Sequence, residues 1–279
     1  MLYSTHLDFF IKKQKMSFED TILLVSKLGF DAIDHTSPDL LNPEYLKIAA
    51  SELSFIEKNG LFVTQTHAPY NRYNEYGNEY DVALERAYEI TKMFGAKYMV
   101  VHGDEYEFDK YKFSPERALQ YNYEIYAPYI EKAEKDGIYL AFETVFEDRT
   151  PEMRRFCSKA EELKELIEKF KSPAAVCCWD FGHAHIAFGD DQADKIRLLG
   201  KHIKCTHVHD NRLKEDLHMP LFTGDSDLLA IRKAFRDINY DGIFSLELGG
   251  YPKMNLVPSV VECFTKYALD SLKIFNELK

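Results

Sequence analysis

What most constrains the fold of this chain is a regular alternation of short β-rich runs with longer helical patterns, repeated eight times from end to end. The strand-like runs span 2–6, 31–34, 61–67, 97–102, 138–143, 174–180, 202–207 and 242–247. Helical patterns follow them at about 17–28, 43–58, 78–94, 115–135, 158–170, 191–199, 226–238 and 258–278. Gly29, Gly95 and Gly200, with Asn59-Gly60 and Asp136-Gly137, stop five of these helices, and Ser17 ahead of Asp20 resembles a helix N-cap. Strands that alternate with helices imply a parallel sheet, and eight such units are the number that closes a barrel. The expected fold is therefore α/β, a (β/α)₈ TIM barrel formed as a single domain over 1–279. An open doubly wound sheet would normally carry a glycine-rich phosphate turn after an early strand, and neither G-x-G-x-x-G nor G-x-x-x-x-G-K-[ST] occurs.

The residues that close the strand runs are His6, Asp34, His67, His102, Glu143, Asp180, His207 and Glu247. All are His, Asp or Glu. In a (β/α)₈ barrel the C-terminal strand ends meet at one face, so residues far apart in sequence share a pocket there. Any one of them could simply cap the following loop, but a complete set is harder to assign to capping. His6 and Asp34 read as the most structural members, because their neighbours carry no further motif. Glu143 and Glu247 end otherwise apolar strands, where a carboxylate without a partner is costly and a cation would relieve the cost.

Two clusters extend the set. Asp180 is followed by His183 in the segment Trp179-Asp-Phe-Gly-His183, which is expected to open a loop in which both face one ion. The stretch THVHDNRLKEDLH at 206–218 adds His207, His209, Asp216 and His218. His207 and His209 share a strand face, so alternation alone does not choose between them. Arg149, Arg154, Arg155, Arg212 and Lys214 fall in loops after the fifth and seventh strands, where an anionic group could dock. Tyr70, Tyr73, Tyr76 and Phe108 fall in loops after the third and fourth and could form an aromatic wall at the mouth.

Composition narrows the function classes. The net charge of −11 offers no basic footprint for nucleic acid or an anionic membrane. No apolar run reaches membrane-spanning length, and the start MLYSTHLDFF lacks a secretory signal, so a cytoplasmic protein is expected. The five cysteines (157, 177, 178, 205 and 263) have no paired spacing and are expected to be buried thiols.

These residues resemble the xylose isomerase-like TIM barrel superfamily over nearly the whole chain. The resemblance rests on HAPY at 67–70, VHG at 101–103, FET at 142–144, DFGHAH at 180–185, HVHDN at 207–211, DLH at 216–218 and LELGG at 246–250. In the sugar-acting branch it implies one divalent metal ion on Glu143, Asp180, His207 and Glu247, with Mn²⁺, Mg²⁺ or Co²⁺ favoured by the ligand types and Zn²⁺ also compatible. It further implies Glu143 and Glu247 as the proton-moving pair, His183 as a catalytic group that helps hold the substrate, and Arg212 near a substrate contact. His6 is a further candidate for the substrate. The endonuclease IV branch would implicate three zinc ions held by His67, His102, Glu143, Asp180, His183, His207, Asp216, His218 and Glu247. His67, His102, His209, Asp216 and His218 are accordingly additional candidates for metal or substrate. The wording after Asp180 and Glu143, and the acidic loop at 104–113, favour sugar chemistry. The expected activity is isomerisation or epimerisation of a small-molecule sugar, sugar phosphate or polyol ketone. The alternatives are cleavage of abasic DNA and an inosose dehydratase-like elimination. No nucleic-acid or membrane partner is expected, and homo-oligomerisation is left open.

Overall fold

The computed structural model describes residues 2–36, 39–70, 76–103, 112–147, 155–212 and 215–279. Tyr73, Phe108, Arg149, Arg154 and Lys214, singled out above, lie outside the described residues. Eight parallel strands close into a barrel in the order β1, β10, β7, β6, β5, β4, β3, β2. They are β1 (Tyr3–His6), β2 (Ala32–Thr36), β3 (Phe62–His67), β4 (Tyr98–Val101), β5 (Tyr139–Glu143), β6 (Ala175–Asp180), β7 (Ile203–Val208) and β10 (Phe244–Leu246). The helices between them are α1 (Phe18–Leu28), α2 (Tyr45–Lys58), α3 (Tyr80–Met93), α4 (Pro115–Asp136), α5 (Ala160–Phe170), α6 (Phe181–Phe188), α7 (Gln192–Leu199) and α8 (Leu228–Asp237), and α9 (Pro258–Glu277) follows the last strand. None of the described helices is long and apolar enough to cross a membrane.

Local signals act where expected. Ser17 caps α1, its hydroxyl accepting the Asp20 N–H at 3.0 Å. Gly29 and Gly137 end α1 and α4 with φ of +86° and +72°, a conformation that only glycine adopts without strain.

Three elements depart from the sequence-based expectation. A π-helical turn, Phe9–Lys13, follows β1. The residues after Asp180 form α6 instead of a loop, with Asp180 as N-cap. A two-stranded antiparallel hairpin, β8 (Asp210–Arg212) and β9 (Glu215–Met219), stands above β7. In addition, β2 runs to Thr36, so Asp34 sits below the barrel rim instead of ending its strand. Cys157, Cys177, Cys178 and Cys205 are buried as expected, but Cys263 is exposed on α9, whose outer face meets solvent.

Side-chain alternation then positions the site. On each strand, alternate residues point into the barrel and the rest point out to the helices. Val100, Ala141, Val176, Cys178 and Cys205 point inward and, with Tyr98, form a small apolar plug. Met99, Leu140, Phe142, Cys177 and Trp179 point outward into the main core, where burying each large apolar side chain contributes about 1.5–3 kcal/mol. Stepping two residues along from the plug reaches His102, Glu143, Asp180 and His207. The same parity that fills the barrel floor therefore puts these four on its inner face, at the C-terminal mouth.

Candidate metal centre

Glu143, Asp180, His207 and Glu247 bring one ligand atom each to within 4.8 Å of one another. His207 Nδ1 lies 3.1 Å from Glu143 Oε1, 3.1 Å from Glu247 Oε2 and 3.9 Å from Asp180 Oδ2. Its other ring nitrogen, Nε2, lies 3.0 Å from Asp34 Oδ2, and Gln65 Nε2 donates to that same oxygen at 2.8 Å. His207, Asp34 and Asp180 are fully buried, and Glu143 is nearly so.

This arrangement tests whether a cation fits. Asp34 is an acceptor, so His207 donates to it from Nε2–H, and the lone pair of Nδ1 then faces three carboxylates. Lone pairs and anions crowded in a buried space repel unless a cation sits among them. A histidine that donates one ring N–H to a carboxylate and turns its other nitrogen inward is the usual arrangement of a metal-binding imidazole. Glu247 Oε2, buried and without a hydrogen-bond partner, points the same way. The residues present fit a divalent ion.

The same logic recurs on either side. His67 Nδ1 is 3.2 Å from the Ala68 carbonyl, which leaves Nε2 facing Glu143 Oε2 at 3.3 Å. His102 Nε2 meets that oxygen at 2.7 Å. On the other flank His183 Nδ1 is 3.0 Å from the Thr144 carbonyl, and His218 Nδ1 is 3.0 Å from the Glu247 carbonyl. A carbonyl only accepts, so both rings donate there, and their Nε2 lone pairs face Asp216 Oδ2 at 3.6 and 3.0 Å. The set His183, His209, Asp216 and His218 is thus a second cluster with cation-binding geometry, and His67, Glu143 and His207 form a third that shares Glu143.

Proton affinities follow from this crowding. Burial alone would raise the Glu143 pKa, but the charges of His207 and His102 and hydrogen bonds from His102 and His183 hold it well below the usual carboxylate range. Burial likewise opposes charge on His207 and His183, yet the surrounding carboxylates push both well above the ordinary histidine value. His218 is raised to about 9 by its Asp216 hydrogen bond and the charges of Glu247 and Asp216, again against burial. At His102 burial wins, and its pKa is lowered. Without an ion, His207, His183 and His218 favour their protonated forms, which offset the charge of the acids. A metal would replace those protons.

A cavity of about 470 Å³ opens above the centre. Glu143, His183, Asp216, His218, Glu247, His67, His102 and Tyr70 line it, and so does His6. Both nitrogens of His6 are engaged within the protein, one facing Thr36 Oγ1 at 3.0 Å and the other accepting the Asp8 N–H at 3.4 Å. The ring therefore offers the cavity its edge and not a free nitrogen.

Arg212 lies away from the site, and His209 belongs to the second cluster without lining the cavity. Arg212 is exposed and donates to the Thr223 carbonyl at 3.0 Å, because the hairpin turns it away from the cavity. His209 is fully buried outside the cavity lining, its Nε2 3.1 Å from Asp180 Oδ2 and its ring stacked on His218 at 3.9 Å. Arg155 reaches Tyr70 Oη at 3.3 Å and does not line the cavity.

Sequence reasoning missed Asp8, Lys12, Thr36 and Asp39, which form one side of the cavity, and Asn211, which braces the second cluster. Asn211 carried a signal, since buried Asn after a strand end often holds a turn through its side chain.

A (β/α)₈ barrel with a buried His and carboxylate centre at its C-terminal mouth is the class that fold and site define. The sequence model of the xylose isomerase-like TIM barrel family matches residues 22–267, and the chain belongs to that family. A probable endonuclease 4 of Mycoplasma mobile is 32% identical over 173 residues, covering 54% of this chain and 56% of that protein. The chain spans about half the length of the curated relatives that it matches. Among solved structures, a zinc-bound IolI protein superposes with a TM-score of 0.80 at 17% identity, covering 99% of this chain and 98% of that one. A D-psicose 3-epimerase crystallised with D-fructose superposes with a TM-score of 0.77 at 17% identity, covering 99% of each chain. At these identities the likeness to the solved structures is one of fold.

Proposed function

We propose that this protein is a divalent-metal-dependent isomerase or epimerase that moves a proton next to the carbonyl of a small open-chain sugar or polyol ketone. The observation that carries this reading is the pair Glu143 and Glu247, each with an oxygen 3.1 Å from Nδ1 of His207 and both lining the cavity. Two carboxylates at one reacting carbon are what proton removal and return require. A divalent ion held by Glu143, Asp180, His207 and Glu247 would supply Lewis-acid polarisation of the substrate carbonyl. One glutamate takes the C–H proton and the other returns one. His183, anchored by Nδ1 on the Thr144 carbonyl, turns Nε2 to the cavity and orients a substrate oxygen. Return to the opposite face of the same carbon is epimerisation, and return to the neighbouring carbon is isomerisation. The 3-epimerases among the fold neighbours agree with this reading.

A second reading, an endonuclease 4-like phosphodiesterase, is favoured by the cluster of His183, Asp216 and His218 and by the relative in Mycoplasma mobile. The acidic cavity, which would meet a phosphate backbone with Asp8, Asp39 and Asp216, weighs against it. The deciding experiment is metal content per chain after chelator-free purification, followed by solvent-deuterium exchange into free ketoses. Exchange at a carbon next to the carbonyl, supported by Mn²⁺ or Co²⁺, is expected. Cleavage of abasic DNA by protein with three zinc ions, without any exchange, would overturn the proposal.

A further inference from the structure

At the edge of the cavity, the π-helical turn after β1 carries Lys12 back over Asp8, four residues earlier. Lys12 Nζ lies 2.8 Å from Asp8 Oδ2, and Thr36 Oγ1 donates to Asp8 Oδ1 at 2.8 Å. The Thr36 hydroxyl has one proton, so His6 must supply the other bond from its own Nε2–H at 3.0 Å. The Asp8 N–H closes the ring on His6 Nδ1. An exposed i,i+4 pair on a helix surface needs no such support and contributes little. Here a ring of hydrogen bonds from two barrel strands fixes the carboxylate, and the His6 ring that anchors it lies 6.3 Å from the His207 ring. Both Asp8 and Lys12 line the cavity. The fixed pair therefore stands one side chain away from the proposed metal centre.

We infer that Asp8 and Lys12 form the subsite for the far end of the substrate, and that they select an uncharged chain with adjacent hydroxyls over a phosphorylated one. This rests on the sugar reading above and deepens it. A carboxylate and an ammonium side by side present one acceptor and one donor, which is the complement of a vicinal diol. A terminal phosphate needs several donors. Among the described residues that line the cavity, Lys12 is the only Lys or Arg, and its charge is already paired. Asp39, on the same wall, adds a second carboxylate facing any incoming anion. Charged hydrogen bonds are the strong ones, so Asp8 and Lys12 set orientation as well as affinity.

The test is isothermal titration of Mn²⁺-loaded protein with matched pairs: pentuloses and hexuloses, each free and as its terminal phosphate. The free member of a pair is expected to bind on the order of ten-fold tighter. Asp8→Asn and Lys12→Met should each weaken binding of the free sugar by a similar factor while thermal stability and metal content stay at the wild-type level. Asp8→Asn keeps the shape of the side chain, and Lys12 is largely exposed, so neither change disturbs the core. Tighter binding of the phosphates, or free-sugar binding unchanged in both variants, would overturn the subsite while leaving the sugar reading intact. Binding of neither series would overturn both.

Discussion

Asp34 lies 3.0 Å from the buried Nε2 of His207, and this bond decides which nitrogen of that ring faces the carboxylate cluster. With Nε2–H given to Asp34, only Nδ1 is left for the space among Glu143, Asp180 and Glu247. The same bond makes the imidazole a better electron donor. Asp34→Asn keeps the size of the side chain but weakens this push. We expect about a 10- to 100-fold loss of divalent-ion affinity, measured by competition with a metal-binding dye. Unchanged affinity would remove Asp34 from the account.

Glu143→Gln and Glu247→Gln each remove one member of the proton-moving pair. Each should lower solvent-deuterium exchange into an accepted ketose by at least ~10²-fold, while circular dichroism still reports a folded barrel. Exchange at the wild-type rate in either variant would sink the role given to that residue.

His218 provides the pH dependence. Its pKa is raised from 6.5 to about 9, because the Asp216 hydrogen bond and the Glu247 and Asp216 charges outweigh burial. In ion-free protein, the stability gained from this imidazolium is complete below the unfolded value and is lost as pH rises through about 9. A metal ion competes with that proton. The rise in Tm on adding a divalent ion should therefore grow between the two values, and a shift constant across this range would refute the linkage.

Asn211 is fully buried and braces the second cluster. Its Oδ1 accepts the N–H groups of Leu217 and His218 at 2.7 and 3.1 Å, and its Nδ2 donates to Asp216 Oδ1 at 3.3 Å. Asn211→Ala strands these groups at a cost of about 1–3 kcal/mol. It should also loosen an ion at His183, Asp216 and His218 before one at Glu143 and His207. Native mass spectrometry during chelator titration would show the order of loss, and simultaneous loss would contradict it.

Gly182 lies inside α6, where a change to alanine ordinarily stabilises a helix. Here an added Cβ would fall 1.9 Å from His209 Cε1 and 2.6 Å from Asn211 Nδ2, both on buried side chains held by hydrogen bonds. Overpacking therefore reverses the sign, and Gly182→Ala should destabilise by about 1–3 kcal/mol. Denaturant unfolding of the variant provides the measurement, and a gain in stability would show that His209 yields.

The periodic sequence determined the barrel, because each run had to bury its apolar face and eight strand–helix units close on themselves. It also determined which side chains reach the mouth, since the parity that packs Val100, Ala141, Cys178 and Cys205 into the floor leaves Glu143, Asp180 and His207 above it. What it left open was set by partners distant in the chain. His207 and His209 share a face, and only the contacts of His207 with Asp34 and Glu143 and of His209 with Asp180 gave them different surroundings. Asp34 was read as a strand end, whereas β2 continues to Thr36 and carries it beneath the rim. The family resemblance implied that Arg212 lies near a substrate contact, and the unforeseen hairpin turns it outward. The wall formed by Asp8, Lys12 and Thr36 joins a π-helical turn to a neighbouring strand. Sequence patterns report how residues repeat along a chain. The partner that each nitrogen and carboxylate oxygen meets depends on contacts between segments far apart, which only the closed tertiary structure brings together.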